Sequence, residues 1–167
     1  MTIHSEHPFL DPDPDPVRRL RGRLGGAVTL WTSGAAADRA GLTVSSLMVA
    51  AGEPALVLGL LDPDAELHER LTSSGAAVVH LLQWADRDLA EAFAGVTPAP
   101  GGPFRMAAWT QSEWGPRLEQ ASSWAGVRLV ESRPAGWASL VTCEIETVVV
   151  GDEDDPLVHR RGRYLRH

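Results

Sequence analysis

One stretch of the chain, residues 40–61, constrains the fold more than any other. It reads AGLTVSSLMVAAGEPALVLGLL, two apolar runs separated by the tripeptide Gly52-Glu53-Pro54. Valine, isoleucine and threonine favour strands, whereas glycine and proline favour turns. The stretch therefore predicts two β-strands joined by a turn.

Three hydroxyl side chains interrupt the first of these runs, at Thr43, Ser45 and Ser46. In a continuous strand, Thr43 and Ser45 would share one face and Ser46 would lie on the other. A hydroxyl that is removed from water needs a hydrogen-bond partner. Two alternatives stay open: backbone groups of neighbouring strands supply that partner, or a polar ligand does.

The second run leads into a predicted helix. Asp62 is expected at the N-cap and Pro63 at the first helical position. Leu67 and Leu71 then form an apolar pair at i and i+4, and Gly75 ends the helix.

Further strand patterns occur along the chain, and the run at residues 27–33 is expected to pair antiparallel with the strand that carries Thr43. Short helices are predicted after Asp15 and after Asp86, the first ended by Gly25-Gly26. Six or seven strands with only short helices predict a small antiparallel β-barrel. The remaining strand patterns are at residues 76–82, 124–130 and 137–150, and residues 157–164 close the chain.

The segment from residue 96 to residue 123 has no clear period, and its prolines, glycines and two tryptophans predict a long loop with brief turns. A lid over a pocket and a contact between subunits are equally compatible with such a loop. Residues 1–16 contain an acidic, proline-rich run that cannot propagate a helix or a sheet. We therefore expect a flexible arm at residues 1–16 and one domain at residues 17–167.

The charge and the cysteine content narrow the function class. A net charge of −7 disfavours binding to nucleic acid. No apolar stretch approaches the ~20 residues that span a bilayer, and no signal peptide pattern is present, so we expect no membrane attachment and a cytoplasmic location. The single cysteine, Cys143, cannot form a disulfide within the chain and is expected to be buried.

Other classical sites are not supported by the motifs. His80 lies inside an apolar strand with no second histidine at metal-ligand spacing, which predicts a core histidine and no metal site. Trp31 is likewise expected in the core. The chain has neither a G-x-S-x-G elbow for hydrolysis nor a G-x-G-x-x-G turn for a Rossmann site.

The order of the segments TVSSL, EPALVLGLL, AAVVHLL, LAEAFAG and HRRGRY resembles that of the flavin reductase family across roughly residues 17–165. The resemblance implies a mainly β fold, the antiparallel FMN-binding split β-barrel with a few short helices. It also implies an NAD(P)H:flavin oxidoreductase that binds FMN or FAD, uses NADH or NADPH, forms a homodimer and can supply a monooxygenase. A non-catalytic flavin-binding sensor or carrier of the same fold is the alternative.

The resemblance further implies which residues bind the cofactors, and it assigns no catalytic residue. The residues that would line the flavin are Gly41, Leu42, Thr43, Val44, Ser45, Ser46 and Leu47. Those that correspond to the ribityl and phosphate stretch are Gly59, Leu60, Leu61, Asp64, Ala65 and Glu66. A third contact corresponds to Leu81 and Leu82, and the nicotinamide nucleotide would be guided by His159, Arg161 and Arg163.

The chain departs from the family pattern at Asp64 and Glu66, where hydroxyl or basic residues are common. Two acids at a helix N-terminus would repel a phosphate there. Either the phosphate lies elsewhere, beside an arginine of residues 160–163, or flavin binds weakly as a diffusing substrate. For the HRRGRY segment, the alternative is a basic terminal strand that only balances the acidic turn before it.

Overall fold

The computed structural model describes residues 15–152 and 154–166, most of which lie in β-strands or short helices. The strands are β1 (Gly26–Ala27), β2 (Thr29–Ser33), β3 (Ala40–Val44), β4 (Leu47–Ala50), β5 (Leu56–Leu61), β6 (Ala76–Leu81), β7 (Trp109–Gln111), β8 (Pro116–Leu118), β9 (Trp124–Ala135), β10 (Ala138–Val149), β11 (Val158–Arg160) and β12 (Arg163–Leu165). The α-helices are α1 (Pro16–Leu24), α2 (Glu66–Ser74) and α3 (Arg87–Phe93). Short 3₁₀ turns lie at Ala36–Asp38, Trp84–Asp86 and Pro103–Met106.

Seven strands form one curled sheet in the order β3-β2-β6-β9-β10-β5-β4. Every neighbouring pair in it is antiparallel. The two edge strands, β3 and β4, follow one another in the chain, and only Ser45 and Ser46 lie between them. Because this dipeptide joins the two ends of the sheet, the sheet must curl into a half-barrel, which confirms the predicted split-barrel class.

The same junction corrects one expectation. The pattern treats residues 42–48 as a single strand, but the strand breaks after Val44, and the chain crosses to the other edge of the sheet before Leu47. The expectation that Ser45 and Ser46 lie on opposite faces of one continuous strand is therefore wrong. The expected pairing of residues 27–33 with the strand that carries Thr43 is confirmed, with Leu30 opposite Thr43.

Trp31 fills the inside of the curled sheet. Its side chain is fully buried, and its indole Nε1–H donates to Thr29 Oγ1 at 3.1 Å, while Thr29 Oγ1 donates to the Val44 carbonyl at 2.6 Å. A Cβ at Gly59 would lie 3.0 Å from the indole ring, so glycine allows the ring to pack against β5. Cys143 is buried in the same core, as expected.

His80 is a satisfied core residue. Leu118 N–H donates to His80 Nε2 at 2.9 Å, so that His80 Nδ1 carries the ring proton and donates to the Leu30 carbonyl at 2.8 Å. Burial lowers the pKa of His80 to about 4, which keeps the imidazole neutral. The ring thus ties β2 to β8, and the core interpretation of His80 is confirmed.

The segment from residue 96 to residue 123 has more structure than a loop. It contains the Pro103–Met106 turn and the β7–β8 hairpin. Phe104 and Trp109 pack edge to face at 4.9 Å between ring centroids, and Phe93 of α3 meets Phe104 at 5.0 Å. These aromatic contacts attach the segment to the outer face of the sheet.

The helix boundaries confirm two predictions and correct one. Asp15 caps α1 by accepting from Val17 N–H at 3.0 Å, and α3 buries Leu89 and Phe93. Helix α2 begins at Glu66 rather than at Pro63, because the Asp62 carboxylate instead accepts from Asp64 N–H at 2.9 Å in a turn before the helix.

Two further expectations concern the first and last segments of the sequence. The predicted arm lies outside the described residues except for Asp15 and Pro16, which belong to the start of α1. The closing segment, residues 157–164, lies largely in the hairpin of β11 and β12. None of the helices in the described part of the chain has the length and apolar character that crossing a bilayer requires.

Candidate functional site

The Ser45-Ser46 junction carries two of the hydroxyl groups among the predicted site residues. The Ser45 side chain is exposed and that of Ser46 is half-buried. Within the described residues neither hydroxyl has a hydrogen-bond partner, whereas the Ser46 carbonyl accepts from Leu60 N–H at 2.9 Å. The backbone is therefore fixed while both hydroxyls stay available to a ligand.

The preceding residues on β3 have their side chains engaged within the protein. Thr43 Oγ1 donates to the Ala90 carbonyl of α3 at 2.6 Å, and Val44 is buried. A Cβ at Gly41 would lie 2.5 Å from the Phe93 ring, so this glycine permits α3 to pack on β3. Since β3 is an edge strand, residues 41–44 can offer a ligand mainly the backbone groups of their free edge.

The predicted contacts on β5 and β6 divide into buried and exposed positions. Gly59, Leu61 and Leu82 are buried, whereas Leu60 and Leu81 are each 41% exposed. Leu60 is held beside Ser46 by the backbone hydrogen bond. Leu81 lies opposite Thr29, which itself lies opposite Val44, so Leu81 is two strands away from the end of β3.

The C-terminal hairpin reaches the junction through β1. Gly26 pairs with His159, and a Cβ at Gly26 would lie 3.1 Å from the Ser45 carbonyl. Sequence reasoning missed Gly26, because the Gly25-Gly26 pair predicts only the end of a helix. The need for a residue without a side chain becomes visible only when β1 and Ser45 are seen in contact.

His159 is a neutral group in this arrangement. Burial lowers its pKa, and its ring meets Tyr164 edge to face at 5.5 Å between centroids. At neutral pH the imidazole can exchange hydrogen bonds with a ligand but does not supply a positive charge.

The positive charge comes from the arginines around the hairpin turn. Arg161 has a positive φ of 54°, and its N–H donates to the Gly22 carbonyl of α1 at 2.8 Å. Arg160 Nε donates to the Arg23 carbonyl at 3.2 Å. The turn that carries Arg161 and Arg163 is thus fastened to α1, with both of these side chains exposed.

The start of α2 has the opposite charge. Ala65 is the N-cap and makes no side-chain capping bond, and Glu66 and Glu69 occupy the first turn. Asp64 and Glu66 are both exposed. Carboxylates already occupy the positive end of this helix dipole, so a phosphate is disfavoured there.

The donor set fits a flavin ring. Two hydroxyls and the backbone groups along the free edge of β3, none of them paired with another residue in the described part of the chain, suit the polar edge of an isoalloxazine. Exposed leucine side chains suit its apolar faces. For a phosphate, the arginines of the hairpin turn fit and the acidic start of α2 does not. Ser45, Ser46, Leu60 and His159 therefore lie in one region of the structure. Asp64 and Glu66 make the start of α2 negatively charged, unlike the hairpin turn with its arginines.

Named relatives are similar to the chain over most of its length. The chain is 32% identical over 148 residues to "FMN reductase (NADH) RutF" of Stutzerimonas stutzeri, covering 88% of this chain and 84% of that protein. It is 26% identical over 152 residues to the "4-hydroxyphenylacetate 3-monooxygenase reductase component" of Pseudomonas aeruginosa, covering 90% and 89% of the two chains.

Solved structures and a family model complete the comparison. Flavin reductase PheA2 in its native state shares the fold, with a TM-score of 0.81 at 22% identity over 90% of this chain and 95% of that chain. The model of the family described as "Flavin reductase like domain" matches residues 21–166. The resemblance stated from the sequence is thereby confirmed, and the chain belongs to the flavin reductase like domain family.

Proposed function

We propose that this protein is an NAD(P)H:flavin oxidoreductase that binds FMN or FAD beside the Ser45-Ser46 junction. The observation that carries the proposal is a pair of hydroxyls, at the point where the two edges of the sheet meet, that no other described residue engages in a hydrogen bond. Family membership across residues 21–166 and the 32% identity to a protein named FMN reductase (NADH) support it.

The polar edge of the flavin ring would be held at this junction. Ser45 and Ser46 donate hydroxyl hydrogen bonds, and the free edge of residues 41–44 adds backbone groups. Leu60 and Leu81 provide apolar contact on either side, each being 41% exposed. When bound, the flavin supplies the redox chemistry by accepting a hydride from the nicotinamide ring.

The nicotinamide nucleotide would be guided by the C-terminal hairpin. Arg161 and Arg163 can bind phosphate oxygens in the bidentate manner of guanidinium groups. His159, neutral because burial lowers its pKa, adds a hydrogen-bonding group between these arginines and Ser45. The acids Asp64 and Glu66 weaken the hold on a flavin phosphate, which suits a flavin that is released after reduction.

The released flavin would be used by a separate monooxygenase, by analogy with the relative named as a monooxygenase reductase component. We further propose that the protein is a homodimer and that it works in the cytoplasm. Its single, buried cysteine is compatible with a reducing compartment.

Flavin titration and nicotinamide oxidation test the proposal on the purified full chain. We expect FMN or FAD to bind, with a change in flavin fluorescence, and NADH or NADPH to be consumed only when flavin is added. If flavin binds while neither nucleotide is oxidised, the protein is a flavin carrier and the enzyme proposal is wrong. If no flavin binds at all, the site assignment is wrong as well.

A further inference from the structure

Helix α1 carries an apolar stripe that the other residues of 15–152 and 154–166 leave uncovered. None of its nine residues is buried, and Val17, Leu20 and Leu24 are 72%, 63% and 77% exposed. Their spacing of three and four places them on one side of the helix. Because so short a helix is marginal in water without packing, this stripe calls for a contact outside the described part of the chain.

The same helix belongs to a basic region on an otherwise acidic protein. Eight of the fifteen arginines lie in α1 and in residues 157–166, whereas residues 26–151 carry fourteen acidic side chains and seven arginines. Arg21 lies four residues after Val17 and three before Leu24, and therefore beside the stripe. Arg19 projects from the opposite side of α1. A partner for this face must be apolar with acidic groups at its border.

A groove of this kind exists elsewhere on the same chain. It has a volume of about 750 Å³ and lies between residues 52–55, which follow β4, and residues 144–148 of β10. Ile145 N–H donates to the Ala55 carbonyl at 2.9 Å and closes its floor. Its acidic groups are Glu53, Glu144 and Glu146, and Val148 in its wall is 60% exposed.

Two of these carboxylates are open to a partner. Glu146 is already paired with Arg128 and with the Trp114 indole. Glu53 and Glu144 make no ion pair within the described residues, and Glu53 lies exposed in the turn. The groove thus has the apolar wall and the acidic border that a partner for α1 requires.

Strand β4 lies between the helix and the groove. A Cβ at Gly26, two residues after α1, would lie 3.1 Å from the Ser45 carbonyl just before β4, whereas the groove begins just after β4. Strand β4 is also an edge of the sheet, and its Met48 and Val49 are 65% and 67% exposed. A two-fold axis perpendicular to β4 makes the two copies of the strand antiparallel and brings the α1 end of one copy to the groove end of the other.

We propose that two copies of the chain associate along β4, with α1 of each copy seated in the groove of its partner. This inference specifies the surfaces of the homodimer proposed above and rests on that part of the proposed function. Arg21 of one copy then faces Glu53 of the other, and Met48 and Val49 of both copies cover each other. Since Ser45 adjoins β4, the interface borders the candidate flavin site.

Charge reversal tests the contact on the full chain by sedimentation equilibrium over a range of protein concentrations. Arg21→Glu and Glu53→Arg should each raise the dimer Kd about tenfold, because like charges then face each other. The double variant R21E/E53R should restore the Kd of the wild type. Arg19→Glu, on the side of α1 opposite the apolar stripe, and Asp88→Arg, on α3, make the same charge changes outside the Arg21–Glu53 contact and should leave the Kd unchanged.

The outcomes separate this inference from the homodimer itself. A wild type that is monomeric at every concentration overturns both. A dimer that R21E and E53R weaken no more than their controls overturns the arrangement but leaves the homodimer, as does a double variant that fails to restore association. Leu20→Ser, which removes apolar surface without changing charge, should also weaken the dimer, and circular dichroism checks that each variant is folded.

Discussion

The Leu60 N–H donates to the Ser46 carbonyl at 2.9 Å, and this hydrogen bond extends the β4–β5 ladder to within one residue of β3 and the other edge of the sheet. Ser45 is the single residue left between the bonded Ser46 and the end of β3. The bond fixes the backbone on one side of Ser45, and pairing with β2 fixes it on the other. The backbone that carries the Ser45 and Ser46 hydroxyls is therefore held in position before a ligand binds.

Removal of the junction hydroxyls should weaken flavin binding. In Ser45→Ala and Ser46→Ala the fold keeps its backbone bond, but one hydrogen bond to the flavin is lost, with a free energy of about 1 kcal/mol. We expect the flavin Kd, measured by fluorescence titration, to rise about fivefold in each variant. Ser73→Ala, at an exposed position on α2, is the matched control. Unchanged affinity in both junction variants would remove these serines from the site.

Loss of the hairpin arginines should affect the nicotinamide nucleotide more than the flavin. Arg161→Gln and Arg163→Gln remove a charged phosphate partner while keeping a long polar side chain. We expect the KM for NADH or NADPH, measured by steady-state kinetics, to rise about tenfold, and the flavin Kd, measured by fluorescence titration, to rise by less. Arg105→Gln serves as the control. Kinetics that stay the same in both variants would favour the interpretation of HRRGRY as a purely structural basic segment.

Replacement of His80 should destabilise the fold without touching the site. In His80→Phe the Leu118 N–H and the Leu30 carbonyl lose their shared partner in a fully buried position. Each unsatisfied buried group destabilises by about 1–3 kcal/mol. We expect a clear fall in the free energy of unfolding, measured by urea denaturation. Stability equal to that of the wild type would show that β2 and β8 do not depend on this bridge.

His80 should also make the protein sensitive to acid. Burial lowers its pKa from 6.5 to about 4. Between pH 6.5 and about pH 4, His80 is therefore protonated in the unfolded chain but neutral in the folded chain. Stability should therefore be retained above about pH 6.5 and fall by roughly 3 kcal/mol as the pH drops to about 4. Urea midpoints measured across this range check the slope. In His80→Gln, which has no titrating group, the slope over the same interval should be smaller.

Gly41→Ala should disturb the packing between α3 and β3. The new Cβ would lie 2.5 Å from the Phe93 ring, which is itself fixed against Phe104. Overpacking of this kind destabilises by about 1–3 kcal/mol. We expect a lower Tm by differential scanning calorimetry. Gly52→Ala, in an exposed turn where the nearest atom would be 3.4 Å away, should leave the Tm close to that of the wild type.

Much of the fold could be predicted from the sequence because its signals are local. Apolar runs and glycine or proline boundaries predict the strands, and the surroundings of Trp31, His80 and Cys143 in the sequence predict their burial. Strand order is different, since it depends on pairing between distant segments. The residues around Ser45 would suit a continuous strand as well as a crossing from one edge of a sheet to the other, so the sequence does not distinguish the two.

For the same reason, the sequence does not predict which hydroxyls of the candidate site are engaged in hydrogen bonds within the protein. A hydroxyl at Thr43 and a hydroxyl at Ser45 look alike in the sequence, yet Thr43 donates to the Ala90 carbonyl of a helix that lies 47 residues further along the chain. The predicted start of α2 at Pro63 differs from the observed start at Glu66 for a similar reason. Asp62 can cap either a helix or a short turn, and here it caps the turn.

The buried position of Cys143 protects the chain from a by-product of the proposed chemistry. Reduced flavin in solution passes electrons to dioxygen and generates hydrogen peroxide, which oxidises thiolates. Burial raises the pKa of Cys143 to about 12, so its sulfur stays protonated and enclosed at neutral pH. Because this is the only cysteine in the sequence, a protein that releases reduced flavin would not lose its activity through oxidation of its own thiols.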